Sequence, residues 1–321
     1  AAAHPAESDH PGMMAPCARR LPRGWAILAS LGALVAIPTL ARAQSAWLPF
    51  AGEARLSVAY QVLEFDGHFD EHGETHPIAA SRTHLGIAQV EYGLSDRLAI
   101  TARLQYIASR FTGAHDEPIM VLIRERYDEL RRTNPGLATD TSLDSGGYYG
   151  TFQDLGFTLR YNVLERGLTV TPLIGLTVPS HHYRTIGEAS AGQDRLALHT
   201  GVNLGRLLDP VLPNAYAHAR YTYSFVQRLH DIPLDRSSAE FEVGYLITPS
   251  VSVRALGNWM NTHGGIGFWE AYEDLLVFLA HDRLLATRFW QVGGGATTTL
   301  TDSIALDAAF VRALSCAHSH T

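Results

Sequence analysis

Between residues 98 and 108 the side chains alternate in character. Leu98, Ile100, Ala102, Leu104, Tyr106 and Ala108 form one set; Ala99, Thr101, Arg103 and Gln105 form the other, with Ile107 the exception. Residues 154–163 repeat the pattern: Leu155, Phe157, Leu159, Tyr161 and Val163 against Asp154, Gly156, Thr158, Arg160 and Asn162. Successive side chains of a strand point to opposite faces, so each segment predicts a ribbon with one apolar and one polar face. Nine more segments carry the same period: 54–63, 83–92, 168–178, 196–206, 215–226, 238–246, 251–260, 288–299 and 303–313. Gly293, Gly294 and Gly295 blur the faces of 288–299. Most are close to the roughly 9–11 residues that a tilted strand needs to cross a bilayer.

The connections alternate as well. Short ones rich in Gly, Asp, Asn or Pro lie at 93–96, 164–167, 207–214, 247–250 and 300–302. Long ones lie at 64–82, 110–151, 179–195, 227–237 and 261–287. Short turns at one end and long loops at the other mark a transmembrane barrel of the outer membrane, with the turns in the periplasm. A soluble β-sandwich also alternates apolar and polar positions, but it does not account for this rhythm. We therefore expect an all-β chain: an antiparallel up-and-down transmembrane β-barrel.

The amino-terminal region fits that destination. Arg19, Arg20 and Arg23 precede an apolar run from Trp25 to Leu40, which is followed by Ala41-Arg42-Ala43. A basic start, a short apolar stretch and a small-x-small site describe a secretory signal peptide. Pro38 interrupts the run, which is too short for a spanning helix. We expect cleavage before Gln44, with 1–43 as upstream residues and leader and 44–321 as the barrel.

Composition narrows the classes. Hydrophobic residues make up 46% of 321, and mean hydropathy is near zero at −0.02. That balance is too polar for a bundle of membrane helices. A net charge of −7 makes nucleic acid an unsuitable partner. Of the two cysteines, Cys17 and Cys316, the first lies in the expected leader, so no internal disulfide is expected and no zinc-ligand or redox spacing is present.

Tyr92-Gly93-Leu94-Ser95-Asp96, Gln153-Asp154-Leu155-Gly156 with Arg160-Tyr161, Val178-Pro179 and Thr262-His263-Gly264-Gly265 resemble motifs of a known family of Gram-negative barrels, the meta-pathway phenol-degradation proteins. The resemblance spans most of 85–315. Gln153 replaces that family's usual glycine, and Ser180-His181-His182 replaces the Gly-Asp that follows its proline. The resemblance implies a transporter-like barrel for small, aromatic solutes.

The candidate site is the lumen. Arg103, Asp154, Arg160, Arg220, Glu240, Glu242 and Arg254 fall on inward positions, as do Arg55, Glu91 and Asp307. They line either a polar pore that selects solutes or a self-neutralising network that fills a small barrel. If Leu246 pairs with Ser250, Glu242 faces Arg254, which favours the second reading. The histidines number 16, many in long loops, and follow no ligand spacing, so no metal or other cofactor is expected. No Gly-x-Ser-x-Gly motif is present, so no enzyme is expected. Segments 117–132 and 268–286 carry apolar residues near helical spacing and are expected to be partly helical loops.

The expected partners are outer-membrane lipid and a small-molecule solute, with the oligomeric state open. The leading expectation is a porin-like channel for passive uptake of small aromatic or hydrophobic solutes. The alternative is a non-conducting structural barrel whose extracellular loops bind a partner. Single-chain bacterial barrels have even strand numbers, and eleven segments are present. We expect a barrel of 12 strands whose closing strand is not in this sequence.

Overall fold

The computed structural model describes residues 46–320 apart from 66–67, 70–71, 74, 77–78, 114–128, 130–131, 134–145, 186–191, 268–276, 278–280 and 318. The expected leader lies outside the described residues. So does most of 117–132; Glu129, Arg132 and Thr133 within or beside it are helical.

All eleven alternating segments are strands of one antiparallel sheet. In chain order they are β1 (Ala54–Phe65), β4 (Ala79–Ser95), β5 (Leu98–Gly113), β7 (Leu155–Tyr161), β9 (Leu168–Val178), β10 (Ala197–Leu207), β11 (Ala215–Val226), β12 (Leu234–Thr248), β13 (Val251–Gly264), β14 (Arg288–Thr301) and β15 (Ile304–Ala317). Each pairs with the next, as expected of a meander. Two short pieces extend the β7 region: β6 (Tyr149–Phe152) beside β5 and β8 (Leu164–Arg166) beside β9. In the 268–286 loop, Val277 and a short helix α1 (His281–Leu284) are helical, and the remainder up to residue 280 lies outside the described residues.

The sheet curls until its ends approach. A second sheet joins β16 (Ser319–His320) to β2 (His68–Phe69) and β3 (Thr75–His76). The end of the last long strand is thereby stitched to the loop that follows the first. Strands β1 and β15 run in the same direction and share no ladder among the described residues.

The two faces divide as their chemistry requires. Ile100, Tyr106, Phe157, Leu159 and Tyr161 are exposed on the outer face, whereas Ala99, Thr101, Ile107 and Ser109 of the inner face are buried. The outward set continues around the wall through Ile174, Leu176, Tyr221, Phe241, Val243, Val253 and Val292. Exposed apolar side chains on this scale make a lipid-facing surface. Arg312 of β15, an exposed residue on the outward face, is an exception to this apolar set. It lies well up the strand from the Asp302–Ser303 turn, where a long side chain can reach the interface.

Two departures from simple register bear on the lumen; others lie between Gly93 and Ser95 of β4 and in the β14–β15 pair. Tyr106 pairs with Phe152 and Arg103 with Gly156, so three steps on β5 match four on the partner. This bulge holds Gln153 and Asp154 outside regular strand. The second lies in the β12–β13 hairpin. Leu246 pairs with Ser252, not Ser250, and Glu242 stands opposite Leu256. The cause is the turn. Pro249 has no N–H to give, and Thr248 Oγ1 accepts bonds from Ser250 N (3.2 Å) and Val251 N (3.0 Å). The tight turn leaves Ile247 as the extra residue of a bulge.

The lipid-facing assignment is testable at Ile174, which is 53% exposed near the middle of β9. Ile174→Arg should lower folding stability in lipid vesicles by about 2–4 kcal/mol. A denaturant titration showing no loss would place this face elsewhere.

Candidate functional site: the lumen

The inward positions form three tiers. The first is the short-turn end, where a strap of chain crosses the lumen. Gly52 N donates to Gly93 O at 2.8 Å and Gly93 N to Glu53 O at 3.0 Å, fixing one end of the strap on β4. At the other end Thr171 Oγ1 of β9 donates to Ala46 O at 2.6 Å, and Trp47 meets Tyr216 of β11 edge to face at 6.3 Å. Two glycines make room for the crossing. A Cβ at Gly93 would lie 2.0 Å from Phe50 O, and one at Gly205 would lie 2.7 Å from Ala46 Cβ. Ala46, Thr171 and Asn203 are fully buried here. Sequence reading missed the strap because Ala46-Trp47-Leu48-Pro49-Phe50 has no period; Gly93 and Gly205, near the ends of β4 and β10, were its trace.

Above the strap lies the charged tier. Arg160 is fully buried and ion-paired with Glu91. Arg254 holds Asp307 through two nitrogens, Nη1–Oδ2 at 2.5 Å and Nη2–Oδ1 at 2.6 Å, and also bonds Thr297 Oγ1 at 2.7 Å. Glu242 is a diagonal neighbour, 3.8 Å from Arg254 Nε, and takes a bond of 2.6 Å from Tyr216 OH. The expected Glu242–Arg254 contact therefore exists, but Asp307 is the main partner; the Leu246–Ser250 register assumed for it is wrong. Arg55 pairs with Glu53 at 2.9 Å.

Arg103, Arg220 and Glu240 remain without an ion pair among the described residues. Arg103 of β5 is exposed on an inward position and is within electrostatic reach of Glu240 and Arg220, across the lumen on β12 and β11. An exposed side chain inside the wall means solvent space between these strands. Arg220 Nε turns to Thr222 Oγ1 at 3.2 Å.

The third tier, at the long-loop end, is apolar on one side. Leu85 and Ile107 are buried with Tyr183, and Leu63, Ile87 and Tyr149 pack on them. Tyr183 belongs to the loop between β9 and β10, so that loop folds into the mouth of the barrel. Asp154 is held here by the bulge and accepts a bond of 2.6 Å from Tyr183 OH, which in turn accepts from Asp194 N at 2.7 Å. The loop between β13 and β14 meets it, Arg283 Nη1 donating to Thr185 Oγ1 at 2.6 Å. Of the seven residues singled out from the sequence, Asp154 thus stands apart in the outer tier, and the other six share the charged one.

No family model matches the chain, and no curated protein matches it. Among solved structures, the COG4313 outer membrane channel from Pseudomonas putida F1 superposes with a TM-score of 0.62 at 13% identity, over 88% of this chain and 95% of that one. The chain shares the β-barrel fold of that outer-membrane protein. Two further matches are the CymD monoaromatic hydrocarbon channel (TM-score 0.38, 10% identity, 83% and 79% covered) and the P. putida toluene transporter TodX (TM-score 0.34, 10% identity, 84% and 79% covered).

Within this outer-membrane barrel the Arg254–Asp307 pair is well shielded, with side chains 9% and 22% exposed. Removing one partner of a buried pair strands the other charge, at a cost of about 3–5 kcal/mol. Asp307→Ala should therefore lower the midpoint of unfolding in detergent far more than the double change Arg254→Met with Asp307→Ala. Equal losses would show that the pair is not coupled.

Proposed function

We propose that this chain is an outer-membrane channel for passive uptake of small hydrophobic solutes. The observation that carries the reading is the division of the lumen. The outer tier offers Leu85, Ile107 and Tyr183 as a buried apolar wall. The charged tier is mostly committed to internal pairs, which lowers its capacity to replace the hydration of a polar solute. Arg103, Arg160, Arg220, Glu240, Glu242 and Arg254 then act as the polar collar of the path, and Asp154 sets the lip of the apolar wall. An aromatic solute suits the apolar wall formed by Leu85, Ile107 and Tyr183.

The second reading, a non-conducting structural barrel, draws on the strap and the ion pairs, which together obstruct the short-turn end. The strap distinguishes the two. In cells whose outer membrane limits permeation, the intact protein should speed entry of a neutral monoaromatic over that of a hydrophilic solute of similar size. Deleting residues 44–50 should raise single-channel ion conductance at least about twofold. No gain in aromatic entry and no conductance change on deletion would leave the structural reading.

A further inference from the structure

Three arginines from three separate elements converge at the long-loop end, outside the seven candidate lumen positions. Arg195 precedes β10, Arg236 occupies an inward position of β12, and Arg283 belongs to α1. Arg195 is 3% exposed, yet only its Nη2 is used, donating to Arg283 O at 2.9 Å; its Nε and Nη1 meet no partner. Arg236 gives Nη2 to Gln193 Oε1 at 3.1 Å and leaves Nε unmatched. Arg283 bonds Thr185 Oγ1 and, at 3.5 Å, Asp194 O, and its Nε is also unmatched. None of the three makes an ion pair among the described residues. Burial, with Arg283 and Arg236 close by, holds the Arg195 guanidinium down to about 9.

Such an arrangement is costly for a protein standing alone, because buried charges need counter-charges. The nearby carboxylates are Asp154, bonded by Tyr183 OH, and Asp194, whose Oδ2 lies 3.7 Å from His182 Nδ1 and whose Oδ1 has no partner. Among the described residues, three guanidiniums against these two carboxylates leave one positive charge. The surroundings are apolar: Leu234 and Leu284 are fully buried beside Arg236 and Arg283, and Leu85 and Ile107 lie beyond Tyr183.

We propose that Arg195, Arg236 and Arg283 form a binding site for the carboxylate head of an amphipathic monoanion whose apolar body lies on the Leu85–Ile107–Tyr183 wall. One excess charge matches one carboxylate, and unmatched N–H donors supply the charge-assisted bonds that guanidinium makes with carboxylates. This deepens the reading of the lumen as a path for hydrophobic solutes and rests on it.

The test is equilibrium binding to the whole protein in a neutral detergent, read by calorimetry, with 4-phenylbutyrate and its uncharged amide as probes. The acid should bind about tenfold or more tighter than the amide. Arg195→Gln and, separately, Arg236→Gln should each abolish that preference, with folding verified by heat-modifiable migration on gels. Arg312→Gln, on the outer face, should preserve it. Equal affinity for acid and amide overturns the site, as does an unchanged preference in both lumen variants. Inorganic sulfate competing as well as the acid overturns the amphipathic assignment. Faster entry of a neutral monoaromatic without any acid preference refutes this site and leaves the channel intact, whereas loss of both refutes the channel reading itself.

Discussion

A strand in lipid can satisfy its amide and carbonyl groups only on a neighbouring strand. The continuous ladder from β1 to β15 is the consequence, and the rest of the molecule depends on it. Once the ladder curls around, each residue must face either lipid or lumen, and alternation along every strand is the only pattern that serves both. The lumen then inherits all polar side chains of the wall. In a barrel of this size those side chains reach one another, which is why Arg254 finds Asp307 from two strands away and Arg160 finds Glu91.

The tiers of the lumen follow from which segments enter it. At the short-turn end the chain itself enters, through the strap from Ala46 to Phe50, and small residues at Gly93 and Gly205 accept it. At the other end the loop between β9 and β10 enters, carrying Tyr183 onto an apolar wall and bringing Arg195 toward Arg236 and Arg283. Between them lies the charged tier, where Arg103 remains exposed. The space inside the wall is thus shaped less by the strands, which provide the wall, than by two inserted segments.

This explains what was legible in the sequence. All eleven strands were, because lipid on one side enforces the period that marks them. The inward placement of Arg103, Arg160 and Arg254 followed from the same alternation. Partner identity did not, because pairing depends on register, and register depends on turns and bulges: the tight turn at Pro249-Ser250 with the bulge at Ile247 sets Glu242 opposite Leu256, a diagonal neighbour of Arg254. The strap and the arginine cluster were invisible for another reason. Most of their residues lie outside the alternating segments, and what they contact is decided by how the sheet curls.

The central claim is that the outer half of the lumen holds a hydrophobic solute. It is tested most directly by an environment-sensitive fluorophore on Ile107→Cys, in a Cys316→Ser background, titrated with a neutral monoaromatic. Ile107 faces the lumen and Ile174 faces outward. The account predicts a saturable spectral change at position 107 and only a linear, partition-like change at 174. Identical non-saturable responses at both positions would contradict it.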